Sequence, residues 1–225
     1  MTGGGRGIGR QIALALAAAG ADVAVTARTE RDLKPVADQI AALGRRSLAV
    51  PADVSDETQA AACAAAVERA FGRIDILVNS AAVTYIEPLV RTTLEQWRQT
   101  LSVNLTGAFL MTRAVLPGML SRNDGRIIQI ASTAGLEGFA NFGAFSASKF
   151  GLIGLTRSLA KEICESAVTV NAVCPALVGT KRAPAARSAA GKGDPSSDVA
   201  DVAVFLASEA ARAVTGAAIE VSWRT

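Results

Sequence analysis

Eight residues at the amino end, Thr2-Gly3-Gly4-Gly5-Arg6-Gly7-Ile8-Gly9, lead straight into an apolar helical pattern. Glycine lets the backbone approach a ligand closely, and the N-terminus of the following helix offers N–H groups and a positive dipole end to an anion. The chemistry implied is capture of a phosphate or pyrophosphate. A secretory signal would also put Arg6 and Arg10 ahead of an apolar run, Ile12 to Ala19, but gains nothing from five glycines so placed. The chain has no histidine, which excludes Ser-His-Asp hydrolysis and His-ligated metal catalysis. Cys63, Cys164 and Cys174 lack any metal-ligand spacing and read as small buried hydrophobes in a reducing cytosol, so no metal is expected.

The elements that must position this turn follow from periodicity. Of 225 residues 50% are hydrophobic and 19% charged, enough for one large domain covering 1–225. Short apolar runs alternate with helical patterns: helix Arg10 to Ala19, strand Val23 to Ala27, helix Glu30 to Leu43, strand Ser47 to Val50, helix Asp56 to Phe71, strand Ile74 to Asn79. Thr93 and Gln96 have capping-box spacing and start a long helix that continues, with a kink, to Leu120. Then come strand Arg126 to Ile130, helix Ala144 to Glu165, strand Val168 to Val173, helix Val199 to Ser208 and strand Ala218 to Val221. Six or seven parallel strands covered on both faces make an α/β, Rossmann-like, doubly wound sheet in three layers.

The net charge of +3 is not gathered into a stripe, so nucleic acid is not expected as a partner. No stretch reaches the ~18 apolar residues of a membrane span, and the chain reads as cytoplasmic. Residues 176–197 break the rhythm, carrying Lys181, Arg182, Arg187 and Lys192 at the carboxyl edge of the sheet. They read as a basic substrate loop or as a solvated surface loop.

The opening motif is T-G-x-x-x-G-x-G. With Asp53-Val54, Asn79-Ser80-Ala81-Ala82, Asn104, Ser132, Ser146-Ala147-Ser148-Lys149, Pro175 and Thr180 in order, the chain resembles the classical short-chain dehydrogenase/reductase family over nearly its whole length. The resemblance implies that Thr2, Gly3, Arg6, Gly7, Ile8 and Gly9 hold a dinucleotide. It implies that Asp53 takes the adenine amino group beside Val54, that the Asn79 and Ala81 segment lines the adenosine, and that Pro175 and Thr180 complete the cofactor site. Where NAD binders carry an acid, this sequence reads Ala27-Arg28, and Arg6 faces the same ribose; two guanidiniums favour NADP over NAD.

The family's chemistry is hydride transfer between the nicotinamide and a carbonyl or alcohol. A tyrosine four residues before a lysine serves as acid and base; the lysine lowers the phenol's pKa and binds the ribose. A serine polarises the carbonyl and an asparagine helps hold a relay water. Asn104, Ser132 and Lys149 fill three of these positions, and Phe145 stands at the tyrosine's. A phenylalanine has no proton to give, and loss of a positioned acid costs about 10²- to 10⁴-fold in rate. A degenerate binder, a substituted variant and an enzyme with another acid all remain open. Tyr85, the single tyrosine, reads more simply as lining an apolar substrate pocket. Helix geometry is expected to turn Ser146 and Ser148 away from the face shared by Phe145 and Lys149.

Two departures concern the fold. The family enters the glycine turn from a buried first strand, which Met1 truncates; a hole beside Val23 to Ala27 and a start upstream of Met1 are expected. The chain also closes on Glu220 to Thr225 where the family has Asp-Gly-Gly. The expected activity is that of a 3-oxoacyl reductase-like enzyme acting on a small ketone or secondary alcohol, as a homodimer or homotetramer through the two long helices. The alternatives are a non-catalytic dinucleotide-binding protein and an incomplete chain.

Overall fold

Every strand runs parallel to its neighbours, but the ladder falls into two sheets, β1 with β2 and β3-β4-β5-β6. The computed structural model describes residues 1–176 and 195–222. Thr180, the four basic residues of the 176–197 loop and residues 223–225 of the carboxyl end lie outside them. In chain order the elements are α1 (Gly7–Ala18), β1 (Val23–Ala27), α2 (Glu30–Ala42), β2 (Ser47–Pro51), α3 (Glu57–Phe71) and β3 (Ile76–Asn79). There follow α4 (Leu94–Leu101), a π-helical turn Ser102–Thr106, α5 (Gly107–Arg122), β4 (Gly125–Ile130), α6 (Gly143–Glu162), β5 (Val168–Pro175), α7 (Pro195–Ala207) and β6 (Ala218–Val221).

Strand alternation sorts the core into two layers. Val78, Ile128 and Ile130 face Ile12 and Leu16 of α1, Leu33 and Ile40 of α2, and Val199 and Leu206 of α7. Their neighbours Leu77 and Ile127 face Cys63 of α3, Met111 and Val115 of α5 and Leu159 of α6. Burying one such aliphatic side chain contributes about 1.5–3 kcal/mol, which is why both faces of a parallel sheet must be covered.

Several boundaries differ from the periodic pattern. α1 begins at Gly7 instead of Arg10, so the last three residues of the glycine motif lie in its first turn. β3 starts two residues late, at Ile76, and β5 runs on to Pro175. Thr93 and Gln96 do form a reciprocal capping box, and Asp56 caps α3 by accepting from Gln59. The expected kink is the π-helical turn that joins α4 to α5.

The run Leu94–Arg122 is 29 residues long and passes, by length and composition alone, as a membrane-crossing helix, but 44% of its most apolar window is buried inside the fold. Its apolar residues have a use in the core, since Leu110, Met111, Val115 and Met119 pack on the sheet. Of the cysteines, Cys63 and Cys174 are buried as expected, whereas Cys164 is exposed; all three are free thiols.

The hole is present. Among the described residues only Met1 and Thr2 stand between β1 and β3: the Met1 amine donates to the Ala24 carbonyl, Thr26 N–H to the Met1 carbonyl and Thr2 N–H to the Val78 carbonyl. Below them a cavity of about 440 Å³ opens between the strands.

Candidate active site

The glycine turn is locked from two sides. The Thr2 hydroxyl accepts from the N–H groups of Ser80 and Ala81, tying the turn to the end of β3. Gly3 has φ +62°, and a Cβ there would lie 2.8 Å from the Ala81 nitrogen. A Cβ on Gly9 would lie 2.2 Å from the Gly3 carbonyl oxygen, so both positions demand glycine by contact. Arg6 precedes α1 in extended geometry and no side chain caps the helix. The first-turn N–H groups around Gly7, Ile8 and Gly9 therefore face outward with the positive end of the dipole.

Arg6 and Arg28 line one cavity of about 480 Å³, with residues 82–87 and Gln99. Tyr85 lies in the same cavity and its hydroxyl donates to Gln99 Oε1. The cavity that Tyr85 lines is mixed where an apolar one was expected, with Arg6, Arg28, Glu87 and Gln99 on its wall beside Ala82, Val83 and Ile86. The Asp53 carboxylate accepts from both the N–H and the hydroxyl of Ser55. Burial pushes that carboxyl up, but the Ser55 bonds and the nearby Arg28 charge outweigh it and leave Asp53 below the ordinary carboxylate range. Val54 is buried against Gly107. Asn79 turns its side chain inward, donating to the Ala108 carbonyl and the Thr112 hydroxyl, so only its backbone segment borders the turn.

Asn104 sits in the π-helical turn and is buried. Its amide brackets the loop after β3, accepting from Val83 N–H at 2.8 Å and donating to the Val83 carbonyl at 3.0 Å. It also donates to Ser148 Oγ, which in turn donates to the Phe145 carbonyl. Ser148 is thus on the inward face with Phe145, because residues three apart on a helix are neighbours. Ser146 is also buried, its hydroxyl without a hydrogen-bond partner among the described residues.

Ser132 and Lys149 both lie near Cys174, at the carboxyl ends of β4 and β5. The Ser132 hydroxyl accepts from Ala134 N–H and donates to the Pro175 carbonyl at a long 3.4 Å. Lys149 is buried and donates to the Ile130 carbonyl at 2.7 Å. Burial lowers its ammonium to a pKa of about 8, and burial raises the neighbouring Cys174 thiol to about 11. The Lys149 nitrogen lies 5.5 Å from the centre of the Phe145 ring, within cation–π range. Phe145 packs edge-on against Phe142, which packs edge-on against Phe139.

The structure brings Ser148 and Lys149 to Phe145 and Ser132 to Pro175, and puts Arg6 and Arg28 on one cavity. Sequence reading missed Ser148 and the Arg28–Asp53 proximity. The first had a signal, its i+3 spacing from Phe145; the second needs the relative height of two strand ends, which periodicity does not carry. Among the described residues no cluster of three or more His, Cys, Asp or Glu could hold a metal.

Comparison with known proteins fits this geometry. Residues 1–191 match the family model described as short chain dehydrogenase. The 3-oxoacyl-acyl-carrier-protein reductase of Escherichia coli is 34% identical over 232 residues, 99% of this chain and 94% of that protein. The like-named Synechocystis protein is 42% identical over 181 residues, 80% of this chain and 73% of its own length. Among solved structures, a short-chain alcohol dehydrogenase of Sinorhizobium meliloti superposes with TM-score 0.92 at 36% identity, covering 98% of this chain and 92% of that one. Levodione reductase superposes with TM-score 0.89 at 28% identity, covering 98% and 94%. With its glycine turn, parallel sheets and α6 lysine in place, this chain belongs to the short-chain dehydrogenase family.

Proposed function

We propose that the chain is an NADP(H)-dependent oxidoreductase acting on a ketone or secondary alcohol of the 3-oxoacyl type, with turnover depressed by Phe145. The observation that carries the nucleotide is the uncapped N-terminus of α1 with Arg6 and Arg28 on one cavity. Glycine at positions 3 and 9 lets the turn pack directly on the end of β3 and on itself, where a Cβ would clash with backbone, and so fixes the turn from which the α1 N–H groups project. Thr2, Gly3, Gly7, Ile8 and Gly9 form that cradle and the two arginines suit a 2′-phosphate. Asp53, Val54, Asn79 and Ala81 border the adenosine and Pro175 the nicotinamide end; Thr180, assigned to the cofactor by the resemblance, lies outside the described residues. When bound, the reduced nicotinamide supplies the hydride.

The chain's own residues would do the rest. The Ser132 hydroxyl, held as an acceptor by Ala134 N–H, donates only a long bond to Pro175 and can turn its proton to a substrate carbonyl oxygen. The Lys149 ammonium is anchored at Ile130 and oriented for a ribose hydroxyl. Asn104 fixes the loop at Val83 against α6 through Ser148. Phe145 excludes water but donates nothing, and the alkoxide left by hydride addition has no side-chain acid at that position. The relatives named as 3-oxoacyl reductases support the substrate class. Exposed Phe109 and Phe150, on α5 and α6, support a homodimer or homotetramer through those helices, working in the cytoplasm.

A second reading, a dinucleotide-binding protein without turnover, is favoured by Phe145 itself. Calorimetric titration with NADPH and NADH tests both readings. Saturable NADPH binding with much weaker NADH is expected, and failure to bind either removes the cofactor assignment. Steady-state reduction of a 3-oxoacyl thioester then separates a slow enzyme from a binder.

A further inference from the structure

The loop after β3 is stapled twice to one helical run. Asn104, in the π-helical turn, brackets the backbone of Val83, and Gln99, earlier in α4, accepts from the Tyr85 hydroxyl. α4 is a firm support, because the Thr93–Gln96 capping box fixes its start and the π-helical turn follows directly on its end. The second staple does more than hold the loop. A carboxamide has an acceptor oxygen and two N–H donors. The Tyr85 hydroxyl engages the Gln99 oxygen, while the Gln99 Nε2 donors meet no acceptor among the described residues. An amide pinned at its oxygen has its nitrogen directed along the other branch, and Gln99 lies on the wall of the 480 Å³ cavity.

The same wall carries Arg6 from the glycine turn, Arg28 from the end of β1 and one acid, Glu87. Two guanidiniums and one carboxylate leave a single net positive charge there. A phosphate monoester brings about −1.5 to −2 at neutral pH and three acceptor oxygens. Glu87 opposes such a group, so uncharged donors on the wall carry weight beside the arginines. Gln99 is the wall residue that has such donors to spare.

We propose that Gln99 is a specificity-determining residue for a phosphorylated cofactor: its Nε2 donates to the phosphate monoester that Arg6 and Arg28 take, and Tyr85 is the positioning residue that turns the amide toward it. The inference rests on the NADP(H) reading above and adds to it a donor from α4. The phosphate then links three separate elements, the glycine turn, the end of β1 and α4. A nucleotide with a bare ribose hydroxyl gives this amide no anion to meet, so Gln99 discriminates between cofactors instead of adding equally to both.

The probes are adenosine 2′,5′-bisphosphate and 5′-AMP, titrated calorimetrically into the 225-residue chain and its variants. Gln99→Leu removes the donors without adding charge and is expected to weaken the bisphosphate about tenfold or more, with AMP moved less than about threefold. Gln99→Glu keeps an oxygen for the Tyr85 hydroxyl, so it should melt with the wild type and still lose at least as much bisphosphate affinity. Tyr85→Phe frees the amide to rotate and should cost the bisphosphate roughly three- to tenfold, again sparing AMP. Unchanged bisphosphate binding in Gln99→Leu, or equal loss of both nucleotides, overturns the proposal. So does a loss that falls on 4′-phosphopantetheine and spares the bisphosphate, because the amide would then serve a phosphate carried by the substrate. A wild-type chain that binds the bisphosphate no better than AMP overturns the NADP(H) reading itself, which separates the two failures.

Discussion

The Lys149 ammonium lies 5.5 Å from the centre of the Phe145 ring and donates to the Ile130 carbonyl, so the cation is held against a ring that has no hydroxyl. The packing that would orient a phenol is in place without the phenol. Phe145→Tyr is therefore expected to raise NADPH-dependent reduction of a 3-oxoacyl thioester tenfold or more, with KM little changed. A positioned general acid contributes about 10²- to 10⁴-fold. Unchanged kcat in a folded Phe145→Tyr protein would show that Ser132, Asn104 or the substrate loop has also lost function.

The same lysine makes stability depend on pH. Burial lowers Lys149 from 10.5 to about 8, so between those values the unfolded chain holds a proton that the folded chain has lost, and stability rises with pH. Cys174, raised from 9.0 to about 11, acts oppositely: above pH 9 only the unfolded chain ionises, and stability falls. Urea unfolding should give a rise from pH 8 to 9 and near-cancellation above. Lys149→Met should lose the rise and keep the fall. An identical slope in wild type and Lys149→Met refutes the assignment.

Much of this was readable in the sequence, and the exceptions have physical reasons. Thr93 and Gln96 announced their capping box because a cap is local. The alternating apolar runs announced parallel strands because both faces are buried. The start of α1 at Gly7 was not readable, since glycine lacks the side chain by which a helical period is recognised. The π-helical turn around Asn104 was visible only as a break, because what sustains it is the bracket onto Val83, 21 residues away. Tyr85 was assigned apolar surroundings from its loop alone, and its partner Gln99 comes from another element.

Arg28 provides a direct test of cofactor choice. It shares a cavity with Arg6 and its charge helps hold Asp53 ionised. A charge-assisted bond to a phosphate contributes about 1.5–3 kcal/mol, which is roughly 10- to 100-fold in Kd. Arg28→Ser should weaken NADPH by that factor and leave NADH within about threefold. Equal weakening of both cofactors would place Arg28 on a shared part of the dinucleotide and remove the argument for NADP.

Asn104 separates architecture from chemistry. Its amide makes three bonds, two to Val83 and one to Ser148, all within or beside the core. Asn104→Ala strands the Val83 N–H and removes the donor that orients Ser148; each buried polar group left unsatisfied costs about 1–3 kcal/mol. Destabilisation of about 3 kcal/mol is expected, a fall of roughly 6–12 °C in Tm for a chain of this size. Asn104→Asp keeps the acceptor for Val83 N–H but loses both donors, so it should fall between Asn104→Ala and wild type in Tm. If Asn104→Ala melts with wild type and only kcat drops, the side chain acts on the reaction, and the bracket onto Val83 is incidental to the fold.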